Sequence, residues 1–359
     1  MEINLFNLFK KSPKEWISKD IGIDLGTATV LVFVEGKGVV LKEPSVVAID
    51  KDTDTITKVG RDAQAMIGRN PENISVVRPL RNGVIDQYDV TLRMIQYFIR
   101  RASGNAIIPP RVMICVPTGI SEVEERAVID AGTQAGARKT YLIEEPVAAA
   151  IGAGLNIYSP TGHMVVDIGG GTTDVAVISL GGVVVSESVK SAGDKFDEAL
   201  MSYVSQKHNV LIGERTAEYI KIRIGAVYEH KQAKEISVKG RCKLTGLPRE
   251  ITVSSKEILE ALFEPISAII DTICRVIEKT PPELIGDILK NGIVMTGAGS
   301  LLFGLDRLIE DVTGIRTRVA KDPGMCVVNG TGRALKYLDN MPEGTIDLSR
   351  MSRLQRQKF

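Results

Sequence analysis

Two short segments have the composition of a phosphate-binding turn. Asp24-Leu25-Gly26-Thr27 and Asp167-Ile168-Gly169-Gly170-Gly171-Thr172-Thr173-Asp174 each place an aspartate at the end of an apolar run, then glycine and threonine. Glycine lets the backbone approach a ligand and turn its N–H groups toward an anion. Threonine hydroxyls add donors, and an aspartate at the strand end can hold Mg²⁺, usually through its water shell. One such turn is weak evidence, because hairpins commonly use glycine. Two matched turns, each with its aspartate, are much stronger. Neither fits GxxxxGK[ST], and no GxGxxG follows a strand, so P-loop and dinucleotide sites are unsupported. The phosphates would instead be clamped between two hairpins.

Three other segments have types suited to the same chemistry. Glu144-Glu145-Pro146 follows the apolar run Thr140 to Ile143 and precedes small apolar residues up to Ala153. A carboxylate there would orient water for in-line attack on a γ-phosphate. The same residues suit a helix start, with an acid on the dipole and proline at the first helical position. Position alone leaves these readings level. Thr296-Gly297-Ala298-Gly299-Ser300 is a strand-to-helix turn that would let a flat base or a phosphate approach the backbone. Glu214, Glu218 and Lys221 share one helical stretch, and Glu218 and Lys221, three apart, lie on one face. They would bond a ribose hydroxyl and a base, or pair with each other at the surface.

The elements that must position these residues alternate between strands and helices. Asp20 to Val34 reads as strand, tight turn, strand, and Met164 to Ile178 repeats that unit, so the chain is expected to contain duplicated α/β halves rather than a solenoid. Gly38 to Ile49 continues with β-branched residues. Thr91 to Ala102 is expected to be helical, and Val112 to Val116 a short buried strand. Ser121 followed by Glu124 is a capping box opening a helix. Later come a helix over Thr216 to Glu229, a strand pair around Glu235 to Val253, a helix from Ser255 to Lys279 ended by Pro281-Pro282, and a strand from Gly292 to Met295.

Composition excludes several classes. With 45 Lys plus Arg against 44 Asp plus Glu, no general basic field for nucleic acid exists, and 5% aromatics argues against a base-stacking platform. Cys115, Cys242, Cys274 and Cys326 form no CxxC pair and are expected to be free thiols in a reducing cytosol. His163, His208 and His230 lack metal-ligand spacing. The longest uncharged run, Pro146 to Val166, carries two prolines and several polar residues and would span a membrane poorly. The N-terminus has no secretory cleavage pattern.

Taken together, DLGT, EEPVAAAIGAG (Glu144–Gly154), DIGGGTTD, GERTAEYIKI (Gly213–Ile222) and TGAGS resemble the actin-like ATPase superfamily, which includes actin, chaperone ATPases and sugar kinases. EPSVVAID (Glu43–Asp50), RPLRNGVIDQYD (Arg78–Asp89) and KTPPELIGDIL (Lys279–Leu289) narrow the resemblance to the bacterial actins of the MreB/Mbl family, over about residues 18 to 340. The resemblance implies an actin-like α/β fold of two duplicated halves around a nucleotide cleft, each with a smaller inserted subdomain. The expected division is 17–41, 79–152 and 323–345 for subdomain IA, 42–78 for IB, 153–193 and 256–322 for IIA, and 194–255 for IIB. Carried over by position, Asp24 and Asp167 would hold Mg²⁺. Gly26, Thr27, Ala28 and Thr29 would form the first phosphate turn, and Gly169, Gly170, Gly171, Thr172 and Thr173 the second. Glu145, helped by Thr172, would place the attacking water. Gly193, Asp194, Glu214, Glu218 and Lys221 would line the nucleoside side, with Gly297, Ala298, Gly299 and Ser300 under the base. Two departures stand out. Thr29-Val30 replaces a common Asn-Thr, and Ala298 replaces a glycine, which leaves GTP open beside ATP.

The leader MEINLFNLFKKSPKEW (residues 1–16) has no evident place in a core. As a helix, Ile3, Leu5, Phe6, Leu8 and Phe9 cover an apolar arc, and Lys10, Lys11 and Lys14 at its end suit anionic headgroups. Residues 1–11 are thus expected to bind an anionic membrane surface, against the alternatives of a helix packed on the protein or an unfolded leader. Ile107-Ile108 is a second expected lipid contact, or else a loop folded onto the core. Each buried large apolar side chain gives about 1.5–3 kcal/mol, and ordering a short segment removes much of that. One subunit would bind weakly and a filament strongly, by avidity. Residues 346–359 are expected to be a basic tail.

The function implied is a cytoplasmic, membrane-associated bacterial actin. It would hydrolyse ATP slowly, polymerise with itself, and organise cell-wall synthesis with membrane proteins of the elongation machinery to maintain rod shape. No nucleic-acid partner is expected. The alternative is a small-molecule kinase or nucleotide-switch ATPase of the same superfamily. No acceptor site or substrate-directed aspartate is evident, and a chaperone ATPase, which would normally carry a peptide-binding domain after the ATPase, is not the expectation.

Overall fold

A computed structural model describes residues 19–81, 83–104, 107–230, 232–340 and 344–345. The expected leader at 1–16 and tail at 346–359 lie outside the described residues. The chain divides into two compact units, with Pro117–Gly119 and Glu145–Val327 in the second. Each is built on its own sheet.

In the first unit, β1 (Ile21–Leu25), β2 (Thr29–Val34) and β3 (Gly38–Pro44) form an antiparallel meander. A small sheet of β4 (Val47–Asp50), β5 (Thr55–Val59) and β6 (Ile74–Val77) follows, with the short helix α1 (Arg61–Gln64) between β5 and β6. A two-stranded ribbon, β7 (Leu80–Arg81) and β8 (Val84–Ile85), leads to α2 (Tyr88–Ser103). The main sheet is completed by β9 (Arg111–Val116) and, after α3 (Glu122–Gln134), by β10 (Lys139–Glu144). Both join in parallel, giving the order β10-β9-β1-β2-β3, with Gly344–Thr345 pairing outside β10. Ser121 closes the expected capping box on Glu124.

In the second unit, α4 (Glu145–Gly152) precedes the meander β11 (His163–Ile168), β12 (Thr173–Ser179) and β13 (Gly182–Val189). Then come α5 (Gly193–Lys207), β14 (Val210–Leu211), α6 (Glu214–Ile224), β15 (Glu235–Cys242), β16 (Pro248–Ser254), α7 (Ser255–Lys279), α8 (Pro282–Asn291), β17 (Ile293–Thr296), α9 (Leu305–Thr313) and β18 (Thr317–Val319). The sheet order β13-β12-β11-β17-β18 repeats that of the first unit, with the same two antiparallel and two parallel pairings. β12 is buried along its whole length and β11 nearly so, which explains their near-continuous apolar runs. Phe196, Leu200 and Val204 of α5, Ile220 of α6 and Ile258, Leu262 and Ile269 of α7 share their core.

Two expectations need correction. The helix foreseen to Glu229 stops at Ile224. At the next residue, a Cβ on Gly225 would stand 2.2 Å from the Lys221 carbonyl oxygen and 2.8 Å from Leu302 Cδ1. Glycine lets the chain leave the helix there, and Ala226 then bridges to Phe303. The TGAGS turn does not run straight into its α-helix: a 3₁₀ turn, Ala298–Leu301, intervenes. The four cysteines are free, as expected. No helix among the described residues is long and apolar enough to cross a membrane.

Candidate phosphate and nucleoside site

The two hairpins that carry the aspartates are built alike. Leu25 pairs with Val30 and Ile168 with Thr173, so both loops have the same length. Asp24 stands two positions before the first loop and Asp167 two before the second. The internal repeat seen in the sequence is therefore a repeat of backbone register.

Around the first turn, Ser45 ties down the loop by donating its N–H to the Ala28 carbonyl at 3.0 Å and its hydroxyl to the Gly26 carbonyl. Gly83 N–H donates to Thr27 Oγ1 at 2.9 Å. Thr27 is thus fixed through its oxygen, and its proton stays available to donate. A Cβ on Gly26 would lie 2.8 Å from the Thr29 carbonyl oxygen, so the tight turn requires glycine.

The second turn is more deeply set. Asp167, Thr172, Thr173 and Asp174 are all buried. Gly169 N–H donates to the Thr172 carbonyl at 2.9 Å and closes the loop. Thr173 Oγ1 donates to the Ser191 carbonyl at 2.6 Å. Its hydroxyl is therefore committed to the interior, against the expectation that it faces a ligand; only its peptide could serve. Thr296 Oγ1 donates to Asp167 Oδ1 at 2.6 Å. Burial pushes the Asp167 carboxyl up to about 7, the Thr296 bond opposes this, and the Asp174 charge adds to it. Asp174 is also pushed up by burial, against the Ser188 and Thr172 hydroxyls and the Thr118 peptide. Neither of its oxygens closes a hydrogen bond of standard geometry. No group of three or more His, Cys, Asp or Glu able to hold a metal occurs among the described residues, so a Mg²⁺ here would rest on one or two carboxylates and its water shell. Asp167 is a hard oxygen donor of the kind Mg²⁺ prefers, so the residues fit that ion.

Glu145 opens α4, directly after β10 ends, and is buried. The helix behind it can pack closely because it is small: a Cβ on Gly152 would fall 1.8 Å from the Cys326 carbonyl oxygen.

α5 begins on the second phosphate turn. Gly193 N–H donates to the Gly169 carbonyl at 3.2 Å and Asp194 N–H to the Gly170 carbonyl at 2.8 Å. From α6, Lys221 Nζ donates to the Gly193 carbonyl at 2.9 Å and to Asp197 Oδ2 at 2.7 Å. Lys221 is therefore not paired with Glu218 at the surface. Its ionic partner is Asp197, which sequence reading missed: the two residues sit on different helices and share no spacing signal. Burial pushes the Asp197 carboxyl up to about 6; Lys221 opposes this, and Glu218 and Asp194 reinforce it. Glu214 and Glu218 are exposed on α6.

The TGAGS turn packs closely on the second hairpin. A Cβ on Gly297 would lie 2.2 Å from the Ile168 carbonyl oxygen, and one on Gly299 2.4 Å from Ile168 Cγ2. Gly297 also has φ +78. These glycines are needed for close approach to Ile168, the residue after Asp167, whatever binds nearby. Ser300 is buried and donates its hydroxyl to the Gly297 carbonyl at 2.7 Å, so it is not free for a base. Ala298 is exposed.

Comparison with known proteins places this arrangement. The MreB/Mbl protein family model matches residues 18–343. The cell shape-determining protein Mbl of Bacillus subtilis is 49% identical over 327 residues, covering 91% of this chain and 98% of that protein. The cell shape-determining protein MreB of Escherichia coli is 51% identical over 328 residues, covering 90% and 94%. The fold is similar to MreB5 of Spiroplasma citri bound to ADP, with a TM-score of 0.86 and 38% identity over 90% of this chain and 98% of that one.

Proposed function

The chain belongs to the MreB/Mbl family of actin-like proteins, and from that membership we propose a filament-forming ATPase that works at the inner face of the cell membrane. Its cellular task is to organise cell-wall synthesis for rod shape, with membrane proteins of the elongation machinery as partners. ATP is the proposed nucleotide, since the similar MreB5 was solved with ADP.

The observation that carries the reading is the repeated hairpin with its aspartate. Two loops of equal length each follow an acid at the same register position, and one of those acids is buried with its carboxyl raised to about 7. Asp24 and Asp167 are the proposed Mg²⁺ residues; the ion supplies charge that offsets the phosphate oxygens. The peptides of Gly169, Gly170 and Gly171 and the Thr27 hydroxyl bind phosphate. Glu145, buried at the start of α4, orients water for attack, with Thr172 assisting. Residues 1–11 and Ile107-Ile108 are the proposed lipid contacts.

The test is electron microscopy of the purified protein on an anionic lipid monolayer, with and without Mg-ATP, alongside phosphate release. Filaments with Mg-ATP are expected. Glu145→Ala should still assemble but lose about 100-fold in phosphate release, the usual scale for a positioned general base. Absence of filaments in every condition, or ADP formation that requires an added hydroxyl acceptor and yields its phosphate ester instead of free phosphate, would move the chain to the kinase class.

A further inference from the structure

Asp197 and Lys221 form a clasp between α5 and α6; Lys221 is among the residues expected on the nucleoside side, whereas Asp197 has no role above. Their side chains are only 15% and 18% exposed. Asp197 Oδ2 accepts from Lys221 at 2.7 Å, while Oδ1 is buried with no hydrogen-bond partner. A buried carboxylate with one oxygen unsatisfied depends on its single ionic partner. Lys221 is therefore held firmly in place.

What Lys221 does with its other bond matters more. It donates to the carbonyl of Gly193 at 2.9 Å. The same residue's N–H donates to the Gly169 carbonyl at 3.2 Å, and the following N–H, on Asp194, to the Gly170 carbonyl at 2.8 Å. Gly193 is thus bonded to the phosphate turn on one side and to Lys221 on the other. There is little slack: a Cβ on Gly193 would stand 3.3 Å from the Gly169 oxygen and 3.5 Å from Lys221 Nζ. A shift of the ammonium group passes through this residue to the carbonyls of Gly169 and Gly170.

We infer that Asp197 is a positioning residue for phosphate chemistry: it anchors Lys221 and, through Gly193, sets the turn Gly169–Gly171. The inference rests on the nucleotide-binding reading given above and deepens it. Asp197 itself touches no phosphate. It acts from the nucleoside-side helix on the phosphate-side turn.

The experiment is steady-state phosphate release from Mg-ATP by the full chain. It compares wild type with Asp197→Asn, which keeps size and removes charge, and reads thermal midpoint in parallel. Loss of a charge-assisted hydrogen bond that sets the turn should lower kcat at saturating ATP by about tenfold. If Asp197→Asn does not fold, the double variant Asp197→Leu/Lys221→Met removes both charges and strands neither, and the same fall in kcat is expected of it. A rise in KM with kcat unchanged would overturn the inference, because Lys221 would then be only a nucleoside contact. A lower midpoint with both kinetic parameters unchanged would overturn it too, leaving the clasp a helix tie. Wild-type protein that releases no phosphate would instead remove the ATPase reading on which the inference stands.

Discussion

Asp167 and Asp174 stand opposite each other in the β11–β12 ladder, at the positions that Asp24 and Leu31 hold in the β1–β2 ladder. The two hairpins are duplicates in backbone and different in charge. One has a single half-buried acid, the other a buried pair. Burial raises the Asp167 carboxyl, the extra acid adds to it, and the buried pair makes the second hairpin the more strongly cation-seeking of the two.

Asp167→Asn should therefore stabilise the ligand-free protein. A carboxyl raised to about 7 favours the fold only below its unfolded value, and that contribution is lost as pH rises through about 7. Asparagine keeps an acceptor for Thr296 and never ionises. The gain should be largest above pH 7, at most roughly 4 kcal/mol, and vanish in acid. Mg-ATP affinity should fall at least about tenfold. Denaturant titrations across pH, with and without Mg-ATP, check both halves; a variant destabilised at high pH contradicts the argument.

Gly297→Ala and Ala298→Gly should behave oppositely although they are adjacent. Gly297 has φ +78, and a Cβ there would fall 2.2 Å from the Ile168 oxygen. Alanine should cost about 3 kcal/mol or more and disturb the strand end that holds Asp167. Ala298 is exposed, so glycine there should change stability by less than about 1 kcal/mol and nucleotide affinity little. Thermal midpoints and ATP-against-GTP titrations decide; a large shift in base preference from Ala298→Gly would restore the base-pocket role read from the sequence.

Glu257 caps α7 with Ser254 and accepts from His208 at 2.7 Å. Burial opposes its ionisation, yet the Ser254 peptide, His208 and the Ser254 hydroxyl together hold its carboxyl below the usual value. A depressed acid contributes stability above its unfolded value and loses it as pH falls through the folded one. Glu257→Gln should cost about 1 kcal/mol at neutral pH, and the difference should shrink toward about pH 3. Urea midpoints of the two proteins at both pH values test this; a gap that widens in acid would reverse the assignment.

Ile107 and Ile108 are 55% and 37% exposed, so they are not folded onto the core. Replacing both with serine should leave stability within about 0.5 kcal/mol. It should lower co-sedimentation with anionic vesicles several-fold, since each isoleucine contributes at most about 1.5–3 kcal/mol on burial. Unchanged sedimentation would assign lipid contact to other residues.

Local chemistry was legible because it is written in short spacings. The capping box at Ser121, the strand ends at Asp24 and Asp167 and the helix from Ser255 to Lys279 each follow from a few adjacent residues. So does the internal repeat, since two runs with one pattern fold into one register. What neighbours in space do to a side chain was not legible. Thr173 and Ser300 looked like ligand donors, but their hydroxyls bond Ser191 and Gly297. Nor was the closeness of Ile168 legible, which leaves no room for a side chain at Gly297 or Gly299.

The sequence by itself determined the class of chemistry and the family, because the acids, glycines and threonines stand within one turn of each other. Only the tertiary structure decided which of those groups remain available and which partners hold them. Asp197 reaches Lys221 across two helices, and Thr296 reaches Asp167 from a neighbouring strand. Hydrogen bonds and desolvation act over a few ångströms of space, and separation along the chain carries no record of that distance.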